Sequence, residues 1–283
     1  MLLKIMIAML AFAANSVLCR LALAGQQIDP MSFSLIRVAS GAAVLLLLYC
    51  CSAHKARIEW KLKNGFFLAV YLVAFSLAYL HMDAGAGALL LFGAVQLSML
   101  GYGLCHGEKI NLQRGIGLGI AVTGILVLLL PGSSAPNPLY AAVMVCSGLG
   151  WAAYSIAGKA MQNPLASTLA NFILAVPFVL LAYAVFYRHS FVFPQGALLA
   201  VLSGGLASSG AYVLWYAIVK RIDRVTASSV QLSVPCLAIL GGALFIGEAL
   251  SWRILISAAI VLAGIALVIF AKPSQQAPAA AEK

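Results

Sequence analysis

Charge is what this sequence has least of. Only 8% of its 283 residues are Asp, Glu, Lys or Arg, against about 25% in soluble domains, and the mean hydropathy is +1.05. An ordinary soluble domain is thereby excluded. The runs 84–105, 160–187, 190–219, 225–247 and 254–271 hold no charged residue at all, and a helix needs about 20 largely apolar residues to cross a bilayer. Residues 115–158 form another such run, long enough for two passes and broken by the turn sequence PGSSAPNP at 131–138. Acids are missing from the middle of every apolar run, which removes the intramembrane carboxylate that ion-driven pumps usually carry. His-Glu-x-x-His and an intramembrane aspartate pair are missing too, and of four histidines only His81 falls in an apolar stretch, near its edge. An intramembrane enzyme is therefore a distant alternative. The six cysteines lack zinc-ligand spacing and read as small packing residues, so no metal and no cofactor are expected. The strict alternation of a membrane β-barrel is absent as well.

What is present is continuous apolar sequence rich in Ala and Leu. It predicts an all-α integral membrane protein of ten transmembrane helices, with spans at about 2–24, 31–51, 65–82, 84–104, 114–131, 138–158, 165–187, 196–218, 225–246 and 253–271. Residues 273–283 are expected to be a disordered cytoplasmic tail. The first span has no small-residue cleavage site and is expected to be retained. The net charge of +10 is sorted by loop rather than gathered on one face. With the N-terminus inside, thirteen Lys and Arg lie on the cytoplasmic side and four (Arg20, Arg37, Arg188 and Arg253) on the other. That bias predicts a multi-pass membrane protein with both termini cytoplasmic. It also explains the basic balance without nucleic acid. A monomer in the lipid bilayer is expected.

The sequence repeats itself. Phe12-Ala-Ala-Asn-Ser with Arg20 lines up with Trp151-Ala-Ala-Tyr-Ser with Lys159; Asp29-Pro30 answers to Asn163-Pro164; Gly107-Glu108 and Gly124 answer to Gly247-Glu248 and Gly264. The repeats are 1–137 and 138–272, with five spans each. An odd number of spans puts the second copy upside down relative to the first, an arrangement that places substrate between the halves. These motifs, with Arg37 inside span 2, resemble the drug/metabolite transporter superfamily of the EamA type, over roughly residues 5–271. The stretch Asp83-Ala-Gly-Ala-Gly-Ala-Leu-Leu-Leu-Phe-Gly-Ala-Val-Gln96 is further similar to YddG-like bacterial exporters of aromatic amino acids.

Pore-lining positions should be polar or aromatic groups that lipid-facing positions exclude. Tyr71, Phe75 and Tyr79 share one face of span 3 at i, i+4 and i+8; Trp151, Tyr154 and Ser155 share a face of span 6; Tyr212, Trp215 and Tyr216 lie in span 8; Ser228 and Gln231 precede Pro235 in span 9. The candidate substrate-binding set is Tyr79, His81, Gln96, Trp151, Tyr154, Ser155, Tyr212, Trp215, Tyr216, Ser228 and Gln231. His81 reads either as an interfacial ring on a carbonyl or as a cavity group titrating between pH 5 and 8. Gln96 needs a partner helix or a cavity. Pro235, Glu108, Glu248 and Arg37 are structural or gating candidates. Each glutamate is expected in the first turn of its own helix, favouring the dipole. Arg20 and Arg37 read as side chains snorkelling to the outer interface, against a role in attracting anions.

The resemblance, with the aromatic residues available, implies secondary transport of small metabolites, amino acids including aromatic ones, by alternating access, and the lack of intramembrane acids points to the substrate gradient or exchange as the driving force. A multidrug or cationic-amphiphile exporter is the alternative, and a channel is less favoured because the repeat suggests two rocking halves.

Overall fold

The computed structural model describes residues 1–53, 55–106, 111–130, 135–186, 190–222, 227, 230–231 and 233–271. Eight helices are individually long and apolar enough to cross a membrane: α1 Leu2–Ala24, α2 Pro30–Cys51, α3 Leu62–Tyr79, α4 Ala84–Cys105, α5 Leu112–Leu129, α6 Pro138–Gly158, α7 Pro164–Phe186 and α8 Pro194–Val219. Two further apolar helices follow, α9 Ser233–Phe245 and α10 Trp252–Ile269. Expected residues Glu108 and Ser228 and the tail 273–283 lie outside the described residues.

Local chemistry explains where the helices start. Asp29 accepts from the amides of Met31 and Ser32 ahead of α2, Asn163 from Ala166 ahead of α7 and Asn137 from Leu139 ahead of α6, each followed by a proline at the first helical position. Such caps satisfy orphan N–H groups, and proline there gives up a donor that had no partner in any case. The match of Asp29-Pro30 with Asn163-Pro164 is thus a shared capping device.

Two helices depart from expectation. Within α8 the turns widen to a π-helical segment over Leu202–Ser208. Gly204 there lies so close to the carbonyl of Arg37 and to Ser40 on α2 that a Cβ would have no room. The span expected over 225–246 is less regular: Ala227 and Val230 are helical, Gln231 lies in a turn, and α9 proper begins at Ser233. Pro235 consequently occupies the first turn of α9, where the missing N–H breaks no helical bond.

The outer surface of the bundle is apolar, and its polar side chains are drawn into an otherwise apolar and aromatic interior. Leu47, Leu206, Leu244, Trp252 and Phe270 are 65–80% exposed, while Asn15, Arg37, Asn64, Gln96, Asn171 and Gln231 are buried. Lipid accepts the first set and excludes the second. Trp60 and Trp252 are exposed, as suits tryptophans at the membrane–water interface.

Packing between the two halves is reciprocal. α3 packs on α6 and α8 on α1; α4 on α6 and α9 on α1; α3 on α7 and α8 on α2; the pairs α2/α7, α4/α9 and α5/α10 meet each other. In the last pair Gly117 faces Gly264 while Gly124 faces Ser257 and Val261, so the helices run antiparallel. A shift of 140 residues exchanges 117 with 257, 121 with 261 and 124 with 264, and the contacts exchange with them. Small residues let the backbones come together where close packing, not hydrophobicity, drives association.

Candidate functional site

The aromatic residues expected on α3, α6 and α8 converge between the halves. Trp151 lies 4.8 Å from Tyr212 and 5.0 Å from Tyr71 by ring centroids, and Tyr154 is 4.8 Å from Tyr216. Phe12 of α1 stands edge-on to Trp151, Tyr212 and Trp215. Tyr79 continues the α3 stripe, 4.6 Å from Phe75. All of these are buried.

The polar edges of this aromatic core are matched to partners. Trp151 Nε1 donates to Gln231 Oε1 at 2.6 Å, and the Gln231 amide donates to the carbonyl of Ala227. Trp215 Nε1 donates to Ser155 Oγ at 3.0 Å. The Tyr216 hydroxyl donates to the Tyr154 carbonyl and accepts from Asn171 Nδ2. Interhelical bonds of this kind contribute about 0.6 kcal/mol each in a membrane protein. Among the described residues neither Asn171 Oδ1 nor the Tyr154 hydroxyl has a hydrogen-bond partner.

Arg37 is the charged centre of the cluster, and this corrects the reading of a snorkelling side chain. Seven residues past the start of α2 it lies about 10 Å along the helix, on the face that meets α3 and α8, and it is fully buried. Its Nη2 donates to the hydroxyls of Tyr71 at 3.1 Å and Tyr212 at 2.9 Å, and its Nε to Ser208 Oγ at 3.1 Å. Phe75 lies 4.9 Å from the guanidinium carbon. On the same side Asn15 accepts from Ser203 and Ser208 and donates to the Ala207 carbonyl, so the π-helical segment of α8 is what brings both serines to one amide.

Other expected residues lie elsewhere. His81 is exposed at the α3–α4 turn with its ring 4.3 Å from Tyr140. Gln96 is buried but faces Leu118 and Val122 of α5, away from the aromatic core, and among the described residues its Oε1 has no hydrogen-bond partner. Glu248 does not enter the first turn of α10. It precedes that helix, and its carboxylate instead accepts from the Ala84 amide that starts α4, at 2.9 Å, and from Arg20 Nε at 3.1 Å. Arg20 also donates to the carbonyls of Tyr79 and Leu80 and approaches Asp83 at 3.4 Å. The Ala84–Gly87 run is fully packed, with Gly85 against Ile239 and Ile254 and Gly87 against Tyr79 and Met144.

Sequence reasoning passed over Asn15, Asn171 and Ser208. Asn15 was visible inside the repeated Phe12 motif. Asn171 sits as far beyond Asn163 as Arg37 does beyond Asp29, so extending the repeat register finds it.

A model of the EamA-like transporter family matches residues 139–270. Over 271 residues the chain is 45% identical to an uncharacterized protein of Pseudomonas aeruginosa, across 95% of this chain and 94% of that one. The chain belongs to the EamA-like transporter family. The transporter is 24% identical over 224 residues to an uncharacterized transporter of Archaeoglobus fulgidus, covering 75% of this chain and 80% of that protein. One protein crystal structure superposes on the transporter with a TM-score of 0.69 at 20% identity, over 93% of this chain and 98% of its own, and shares the fold. As a member of this drug/metabolite transporter group the EamA transporter is a multi-pass membrane protein that moves small molecules.

Proposed function

We propose that the chain is a secondary transporter of small metabolites, amino acids with aromatic ones among them, working by alternating access across the bacterial inner membrane with both termini cytoplasmic. The observation that carries this reading is the aromatic and amide-lined core lying where α1–α3 meet α6–α8. Reciprocal packing of the two halves supports the assignment of 1–137 and 138–272 as oppositely inserted repeats. Two copies of one unit can exchange conformations, so that an opening on one side becomes an opening on the other. Aromatic walls with a few fixed amide and hydroxyl groups suit a small amphiphilic solute. Among the described residues no carboxylate stands within the core, which favours uniport or exchange.

The test is uptake of each of the twenty amino acids into vesicles holding the purified protein. Saturable uptake of aromatic amino acids is expected. Trp215→Phe keeps the wall but loses the N–H donated to Ser155, and uptake should fall roughly two- to thirteenfold, one hydrogen bond being worth about 0.5–1.5 kcal/mol. Uptake of no amino acid would overturn the substrate class. For the architecture, single cysteines replacing Glu108 and Glu248 should react with an impermeant thiol reagent from opposite faces, and reaction from one face would refute the inverted repeat.

A further inference from the structure

Arg37 carries a permanent charge, since a guanidinium is not deprotonated in proteins, and it is fully buried. None of the ion pairs among the described residues includes it. Its neighbours are neutral: two tyrosine hydroxyls, one serine hydroxyl and the faces of Phe75 and Tyr71. Among the described residues Nη1 has no hydrogen-bond partner. A cation in this setting lacks both a counter-charge and one of its donors' acceptors, and an isolated charge within the membrane is costly to hold.

We infer that Arg37 is the anion-recognising group of the transporter, and that the substrate class is small organic carboxylates, zwitterionic amino acids included, rather than cationic amphiphiles. This rests on the reading of the aromatic core as the substrate site. A carboxylate arriving beside Nη1 supplies the missing counter-charge and accepts the unpaired donor. The guanidinium fork is already oriented by Ser208, Tyr71 and Tyr212, which come from two different helices of the two halves, so its position is set before the ligand enters. Charge-assisted bonds to a fixed fork are stronger and more directional than neutral ones. A cationic ligand would meet like charge at the same place. The aromatic side chains around the site are closed in this structure and must part to admit a ligand.

The experiment compares ligands that differ only in the anion. Purified protein is titrated with L-phenylalanine, phenylacetate, L-phenylalaninamide and tetraphenylphosphonium, and apparent affinity is read from thermal stabilisation, which follows ligand concentration over Kd. At least one of the two carboxylates should bind tenfold or more tightly than the amide. In Arg37→Gln that preference should shrink to within twofold, and Arg37→Lys, which keeps the charge without the fork, should fall between. A purely structural arginine would leave the preference between acid and amide unchanged. The inference is overturned if the wild type binds neither carboxylate, if it binds the amide or the phosphonium as well as the acid, or if folded Arg37→Gln keeps the tenfold preference. Should Arg37→Gln not fold, the wild-type comparison and Arg37→Lys decide. Phenylacetate bound through Arg37 with no amino acid carried would sink the amino-acid reading and leave this one standing. Amino acids carried without discrimination between acid and amide would do the reverse.

Discussion

The two ends of the bundle carry matching segments of the repeated sequence but are packed differently. At the end where α1 finishes, the α1–α2 and α7–α8 loops are joined. Ile28 and Val192 form an antiparallel bridge, the Asp29 amide donates to the Phe191 carbonyl and the Phe193 amide to that of Gln27, and the Asp29 carboxylate accepts from the Phe191 amide. Arg20 and Glu248 tie α1, α4 and the α9–α10 loop together a short way off. At the opposite end the corresponding segments are the α6–α7 loop and the α2–α3 loop. Between them lies a cavity of about 540 Å³ lined by Ala56, Arg57, Glu59, Trp60, Gln162 and Asn163. On that side an apolar groove of about 650 Å³ runs along the outer surface of α1, α2 and α8, lined by Ile7, Ala11, Leu48, Leu206 and Ala211. Lys159, the repeat counterpart of Arg20, takes part in no ion pair among the described residues. The repeated loops are thus joined at one end and parted by a cavity at the other, while Glu108, the counterpart of Glu248, lies outside the described residues.

Locking the closed end should have the largest effect. With the native cysteines replaced, Ile28→Cys and Val192→Cys lie opposite each other in a bridge, within disulfide reach. Oxidation should abolish uptake and reduction restore it. Ile58→Cys with Gln162→Cys, facing one another across the cavity, should cross-link slowly and far less completely. Equal cross-linking at both ends, read by gel mobility after brief oxidation, would erase the contrast.

A smaller change is expected from Arg20→Gln. Arg20 and Glu248 are mostly buried, with side chains 17% and 11% exposed, so a hydrogen bond to the charged group is worth about 1.5–3 kcal/mol. Discounted for that residual exposure, to about 1–2 kcal/mol, the closed population should drop roughly five- to thirtyfold. Spin labels at Gln26→Cys and Ala249→Cys would report it as a shift toward longer distances. Arg20→Gln made in the Glu248→Gln background should change the closed population much less than it does in the wild type, because both side chains belong to one contact. Full additivity would mean that the two side chains act independently.

Helix positions and the aromatic set of the site were legible in the sequence because both follow from local rules: apolar length, proline and Asx at helix starts, and spacing on one face. Trp151, Tyr154, Tyr212, Trp215 and Tyr216 share a core for that reason. Arg37 was misread because hydropathy gives its depth but not its azimuth, and only the angle between α2 and its neighbours turns the side chain inward. Glu248 was misplaced for a different reason. Its partners, the Ala84 amide and Arg20, are more than 160 residues away, and no local pattern encodes a carboxylate capping a helix from the other half. The break at Gln231 was hidden behind Pro235, the stronger punctuation mark a few residues later. Gln96 shows the remaining limit, since one buried amide on a fully apolar helix carries no sign of which neighbour it will face.

The mildest way to test the closed end is pH. Burial lifts the Glu248 carboxyl above its ordinary value, Asp83 adds to the rise, and the Ala84 amide and the Arg20 guanidinium, which lower it, do not offset the whole. When this end opens and Glu248 is hydrated, its pKa returns toward the ordinary glutamate value. The closed arrangement therefore binds the proton more readily, and by linkage protonation favours closure. That advantage is complete below the ordinary glutamate value and disappears as pH rises through the raised one. Acidification from neutral pH should accordingly shift the Gln26/Ala249 label pair toward short distances, by less than tenfold in population. Glu248→Gln, which has the shape of the protonated side chain and still accepts from Ala84, should flatten the response. Opening on acidification would show that loss of the Arg20 ion pair outweighs burial, and the closed end would then be held by charge more than by packing.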